Sequence, residues 1–304
     1  MTAEEQQKAR QGVLLALGAY TMWGIAPIYF KSLAAVSPLE ILSHRVVWSF
    51  FLLAALLHFG RHWRTVRDVL TSKSKILYLV TTAILVGANW LIFIWAVNAN
   101  HMLDASLGYY INPLINVLLG MLFLGERLRK LQWFAVTLAT CGVLVQLVVF
   151  GSVPIVAIAL AFSFGFYGLL RKKVSVDAQT GLFIETLVML PAAAIYLLFI
   201  ASTPTSNMLA NPAYLNALLV AAGVVTTLPL LCFTGAATRL KLSTLGFFQY
   251  IGPSLMFLLA VLIYGEAFTS DKAITFAFIW GALVLFSFDG LRYSRKNRRT
   301  RQTN

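Results

Sequence analysis

Long apolar runs, each closed off by a short polar or charged stretch, recur along the whole chain. They fall at about 11–30, 39–59, 76–97, 105–124, 131–149, 152–170, 181–201, 213–237, 242–264 and 272–290. Each has the roughly 20 residues that a helix needs to cross the hydrocarbon of a bilayer. The pattern predicts an all-α membrane protein with ten transmembrane helices. The runs also form two sets of five. Residues 105–126, ASLGYYINPLINVLLGMLFLGE, align with 243–266, STLGFFQYIGPSLMFLLAVLIYGE, once two residues are inserted after the aromatic pair. This matches Leu107 with Leu245, Gly108 with Gly246, Pro113 with Pro253, Gly125 with Gly265 and Glu126 with Glu266. Five is odd, so the second set enters the bilayer from the opposite side. The expected fold is two inverted five-helix repeats, residues 1–150 and 151–304, the second carrying a basic tail. Inverted repeats mark transporters whose site lies between the halves.

Composition agrees: 59% of the 304 residues are hydrophobic and 12% charged, with a mean hydropathy of +0.79. A soluble domain carries about twice that charged fraction. The formal net charge of +13 would suggest nucleic acid in a soluble protein, but its location gives it another meaning. With both termini assigned to the cytoplasm, every Lys and Arg falls on the inner side except Lys31, Lys272 and Arg45, the last inside the second span. The basic charge is therefore a topology signal, and no nucleic-acid partner is expected. The tail at 292–301 is additionally suited to anionic lipid.

The small-residue stretch Ser32-Leu33-Ala34-Ala35 imitates a signal cleavage site, yet removal of the first span would break the five-plus-five symmetry. Cys141 and Cys232 lie inside spans without paired spacing, so neither a disulfide nor a metal is expected. No nucleotide-binding loop, EF-hand or HExxH motif is present, and no cofactor is implied. Two loops have some length, 60–75, basic and inner, and 202–212, outer and rich in Thr, Ser, Asn and Pro. Neither is long enough for a domain of its own.

Gly-Glu ends the fourth and ninth runs (Gly125-Glu126, Gly265-Glu266), and Trp23-Gly24 lies in the first. With the stretches QGVLLALGAYTMWGIAPIYFK, HRVVWSFF, NWLIFIWAVN, AQTGLFIET and STLGFFQYIGPSLMFLLAV, the chain resembles the EamA family of the drug/metabolite transporter superfamily, and its RarD branch in particular. The resemblance covers essentially the whole chain. It implies a ten-helix permease of the bacterial inner membrane with both termini cytoplasmic and a substrate path lined by spans 1–4 and 6–9. It does not imply a substrate. The branch is associated by name with chloramphenicol sensitivity, and better-understood relatives export amino acids and other metabolites.

Helix breakers and polar residues inside the spans point to the path. Pro27, Pro113 and the Gly252-Pro253 pair are candidate helix breaks, because a proline removes a backbone donor that hydrocarbon cannot replace. Around the paired prolines lie aromatic and amide residues. Trp23, Asn89, Trp90, Trp95, Tyr109, Tyr110, Asn112, Phe248, Gln249 and Tyr250 form the candidate substrate cavity. Rings supply apolar area with a polar handle. Mid-span amides need partners, either a neighbouring helix or a substrate.

Charge inside a span is costly and usually faces a cavity. His44 and Arg45 in the second span, Glu185 in the seventh and Arg239 at the end of the eighth are the candidates for gating or coupling. An offset of 140 maps Arg45 onto Glu185, which puts the two in opposite leaflets and predicts that they do not pair. The partners expected are His101 or Asp104 for Arg45, and Arg239 or Lys241 for Glu185. His44 and Glu185 are the candidate proton carriers. Gly142 and Gly281 suit close helix contact, within one chain or across a homodimer, and the sequence leaves monomer and dimer open.

The reading as a whole is a secondary transporter working by alternating access on a small-molecule substrate, in contact with membrane lipid, and not an enzyme. A lipid-headgroup flippase is the alternative. A membrane-embedded enzyme would need a nucleophile with its base, or a metal cluster.

Overall fold

A computed structural model of the chain describes residues 3–98, 102–151, 155–263 and 270–302, and their regular structure is entirely helical. The helices are α1 (Ala3–Lys31), α2 (Pro38–Phe59), α3 (Trp63–Leu70), α4 (Lys73–Asn98), α5 (Met102–Leu124), α6 (Lys130–Phe150) and α7 (Ile155–Val174). They continue with α8 (Ala178–Ile195), α9 (Ala213–Ala237), α10 (Leu242–Gln249), α11 (Ile251–Leu262) and α12 (Ser270–Gln302). A π-helical turn, Tyr196–Ile200, extends α8. Ten of these stretches are long and apolar enough to span a bilayer, with α10 and α11 together making the ninth.

The ends of the helices follow from local chemistry. Pro38 opens α2, where its missing N–H is not needed. Asp177 caps α8 by accepting from the Thr180 amide at 2.9 Å. Gly151, at φ +73°, supplies the left-handed residue that closes α6. The short α3 occupies the stretch expected as a basic loop: it buries Val66 and Val69, and the Trp63 ring stands edge-on to Phe183 at 5.4 Å.

The helix breaks differ from expectation. Both α1 and α5 run on through Pro27 and Pro113. Gly252 and Pro253 lie in the first turn of α11, where backbone donors have no intrahelical acceptor in any case. The chain breaks instead at Tyr250, between α10 and α11. Gln249 and Tyr250 are the two residues that the second copy has and the first lacks. Two extra residues would turn everything beyond them by about 200° about the helix axis.

Packing repeats itself under exchange of the two sets of five. Helix α1 packs on α9 and α11, and its counterpart α7 packs on α4 and α5. Helix α2 meets α9 as α8 meets α4, while the pairs α2 with α8, α5 with α10 and α6 with α12 each map onto themselves. The correspondence extends to single residues. A Cβ on Gly24 would lie 2.7 Å from Leu255, and one on Gly165 would lie 2.8 Å from Ile115. Leu255 and Ile115 are equivalent in the repeat alignment. Gly142 faces Phe278 of α12, and Gly281 faces Leu138 of α6. Both glycines are thus used within one chain. Arg129 and Asp289 pin the same α6–α12 pair by an ion pair, Nε to Oδ2 at 2.6 Å.

Candidate functional site

A narrow cleft runs between α2, α4, α8 and α9, with free space for about one water molecule. Arg45, Trp90, Glu185 and Thr226 line it together with apolar side chains such as Val86 and Leu230. Arg45 is the eighth residue of α2 and Glu185 the eighth of α8. Ten alternating crossings make these two helices antiparallel. Each charge therefore lies about 10 Å from the start of its helix, at opposite ends of one cleft.

Arg45 is held by neutral groups. Its Nε donates to Thr226 Oγ1 at 2.8 Å, and its guanidinium carbon stands 4.5 Å from the centre of the Trp90 ring and 5.7 Å from that of Phe30. Among the described residues no carboxylate lies within 4.0 Å of it. His101 and the Asp104 side chain, the partners expected from the sequence, lie outside what is described, as do Gly265 and Glu266.

Glu185 is 1% exposed and fully engaged. Oε1 accepts from Thr82 Oγ1 at 2.6 Å, Oε2 accepts from the Tyr167 hydroxyl at 3.3 Å, and Arg171 Nε stands 3.6 Å from Oε1. Arg171, also 1% exposed, is the acid's partner. Arg239 is not: it folds back onto the carbonyl of Gly235 at 2.8 Å at the exposed end of α9. In the sequence Arg171 stands with Lys172 and Lys173 among the cations of the inner side. The missed signal was helical spacing, since Ala157, Leu160, Ala161, Tyr167, Gly168, Arg171 and Val174 make one buried stripe along α7. Lys172 has a structural task, donating to the carbonyls of Ala237 and Leu240 at the end of α9.

His44 is buried next to Arg45 in sequence, and among the described residues neither ring nitrogen has a hydrogen-bond partner. One helical turn before it, Glu40 is fully buried. Its Oε2 accepts from Thr203 and, at 3.0 Å, from Thr205. The 202–212 loop is thereby strapped over the start of α2.

Of the ten residues expected in the cavity, Trp90 lines the cleft. The amides are spent between helices instead. Asn89 Nδ2 donates to the Leu160 carbonyl at 3.0 Å and to Ser163 Oγ at 2.9 Å, and Asn112 Nδ2 donates to the Ala161 carbonyl at 2.9 Å. Asn116 Nδ2 donates to Asn112 Oδ1 at 3.0 Å and to Gln249 Oε1 at 3.1 Å, joining α5 to α10. Tyr250 is buried with its hydroxyl on the Tyr110 carbonyl at 3.2 Å, and both pack in the layer beside α6 and α12. Tyr109 stands edge-on to Phe93, and Trp95 is 52% exposed. Trp23 sits in a ring cluster with Tyr20, Phe164 and Phe233, and Phe248 packs on the same core.

Glu126 takes the backbone amides of Leu242 and Ser243 at 2.6 and 3.0 Å and the Ser243 hydroxyl at 2.6 Å. The acid that closes the fourth span thus caps the start of the ninth, a structural role.

Comparison with known proteins gives this architecture a context. The EamA-like transporter family model matches residues 10–148 and again 152–288. An uncharacterized transporter of Vibrio cholerae is 77% identical over 98% of this chain and 98% of its own length. Protein RarD of Salmonella typhimurium is 64% identical, covering 96% of this chain and 99% of its own. A chloramphenicol-sensitive protein RarD of Pseudomonas aeruginosa is 34% identical over 95% and 97%. A solved crystal structure at 20% identity superposes with a TM-score of 0.72 over 90% of this chain and 96% of its own, a likeness of fold alone.

Proposed function

Because the chain belongs to the EamA-like transporter family, we propose that this multi-pass membrane transporter is a secondary permease that moves small metabolites or drug-like solutes across the inner membrane by alternating access. The two halves, 1–150 and 151–304, are the bodies that rock against each other, and both termini are cytoplasmic. One observation carries the reading: equivalent positions of the two copies, Arg45 and Glu185, put charge at opposite ends of a single cleft. Alternating access needs an outer and an inner closure built from corresponding elements. Here α2 with α9 and α8 with α4 supply them, each tied by one hydroxyl, Thr226 on Arg45 and Thr82 on Glu185.

Glu185 is the coupling candidate, because a proton on it would loosen Arg171 and free the inner closure. His44 remains a second candidate from its burial without a partner. The test is counterflow by purified protein in liposomes against amino acids and chloramphenicol. Glu185→Gln is expected to slow flux or flatten its pH dependence while the protein still inserts. Unchanged flux in that variant between about pH 5.5 and 8.5 would remove Glu185 from coupling. Movement of labelled lipid in place of solute would make the protein a flippase. A reporter in the 202–212 loop is expected outside the cytoplasm, and a cytoplasmic signal would reverse the orientation.

A further inference from the structure

The cleft carries an uneven charge, and this restricts what fits it. Glu185 is neutralised by Arg171 and further occupied by Thr82 and Tyr167. Arg45 has no such counterpart among the described residues: Thr226 takes its Nε, Trp90 and Phe30 offer ring faces, and no protein acceptor takes its Nη groups. Among the described residues, the lining therefore holds one cation with no acid beside it.

From this asymmetry, and resting on the transport reading above, we infer that the solute is an organic monoanion. Its carboxylate seats on the Nη edge of Arg45, and its apolar body lies along Val86, Met189 and Leu230 toward Glu185. The Thr226 bond takes Nε, and the Trp90 and Phe30 rings lie against the guanidinium, so the Nη donors are the ones left for a solute. Such a planar fork matches a carboxylate with two parallel hydrogen bonds. A cationic solute would meet Arg45 with no acid to answer it. A zwitterion would find a seat for its carboxylate but not for its ammonium, because Glu185 is already taken. A dianion would bring one charge more than the lining balances. Two helices of this length with charges about 10 Å from opposite ends leave roughly 12 Å between the two levels, which suits a compact solute with one acidic end. The present cleft holds only about a water molecule, so the solute enters as α2 and α8 part.

Three probes of one shape and different charge test this: 3-phenylpropionate, phenylalanine and phenethylammonium. Binding to the purified full-length protein in detergent is measured by calorimetry, and counterflow is measured in proteoliposomes. The expected order puts 3-phenylpropionate first. Arg45→Gln is expected to weaken it by about tenfold or more, and Arg45→Lys, which keeps the charge and loses the fork, by less. Equal thermal melting of wild type and variants guards against misfolding, and Arg45→Lys serves if Arg45→Gln melts early. Preference for phenylalanine or phenethylammonium, binding of none of the three, or loss of less than about twofold in both variants would each overturn the assignment. Counterflow that favours the zwitterion sinks the anion site and leaves transport standing. Binding of the anion without counterflow does the reverse.

Discussion

A carboxylate inside an apolar bundle needs its charge answered, and for Glu185 the answer is Arg171. The pair sits at 1% exposure on both sides, so removing one member strands the other in a medium that solvates it poorly. Arg171→Met is expected to destabilise the protein by about 3–5 kcal/mol, and Arg171→Met with Glu185→Leu to restore most of that loss. Thermal unfolding of the four proteins of the cycle measures it. If the double variant melts as low as Arg171→Met, the two residues are not coupled. Arg171 is easily overlooked in the sequence, because Arg171-Lys172-Lys173 reads as one cluster at a membrane edge and only the helical stripe that it continues marks its first member as inward.

Small residues decide how closely the elements approach. A Cβ on Gly223 of α9 would meet the Trp48 carbonyl carbon of α2 at 2.5 Å and the Ser49 nitrogen at 2.8 Å. Backbone cannot yield as a side chain can. Gly223→Ala should therefore push α9 from α2, destabilise by about 1–3 kcal/mol and, because this contact borders the cleft, also slow transport. A melting temperature equal to wild type would show that the helices have slack there. The break at Tyr250 also belongs to this scale. The two-residue insertion that produces it is visible in the repeat alignment, whereas the prolines beside it, more conspicuous in the sequence, leave their helices unbroken.

At the scale of the molecule, the cleft and the amide bridge occupy different places on the pseudo-two-fold. Asn112, Asn116 and Gln249 knit α5 to α7 and α10, and the cleft opens between α2, α4, α8 and α9. Single cysteines in a functional cysteine-free background should separate the two. At Val86 or Thr227 they are expected to react with a water-soluble thiol reagent while the protein cycles. At Asn116 or Gly246 they should stay unreactive. Equal labelling at all four positions would mean that the amide bridge is itself wet and part of the path.

Helix number, the two-copy pattern and the membrane class were determined by the sequence alone, since each depends on the length, hydrophobicity and repetition of contiguous segments. The correspondence of Arg45 and Glu185 could be read from the chain too, because the offset of 140 that relates Pro113 to Pro253 also relates these two, and each is the eighth residue of its helix. Which polar side chains face the cleft was decided only by the tertiary structure. An amide on a span reads the same whether a neighbouring helix or a solute becomes its partner; Asn89 and Asn112 donate to carbonyls of α7, and Gln249 accepts from Asn116. The partner of a buried charge was decided there as well: Arg171 and Glu185 lie 14 positions apart on consecutive helices, and their meeting depends on how α7 and α8 are rotated. That rotation is set by helix contacts throughout the bundle, which no local stretch of sequence contains.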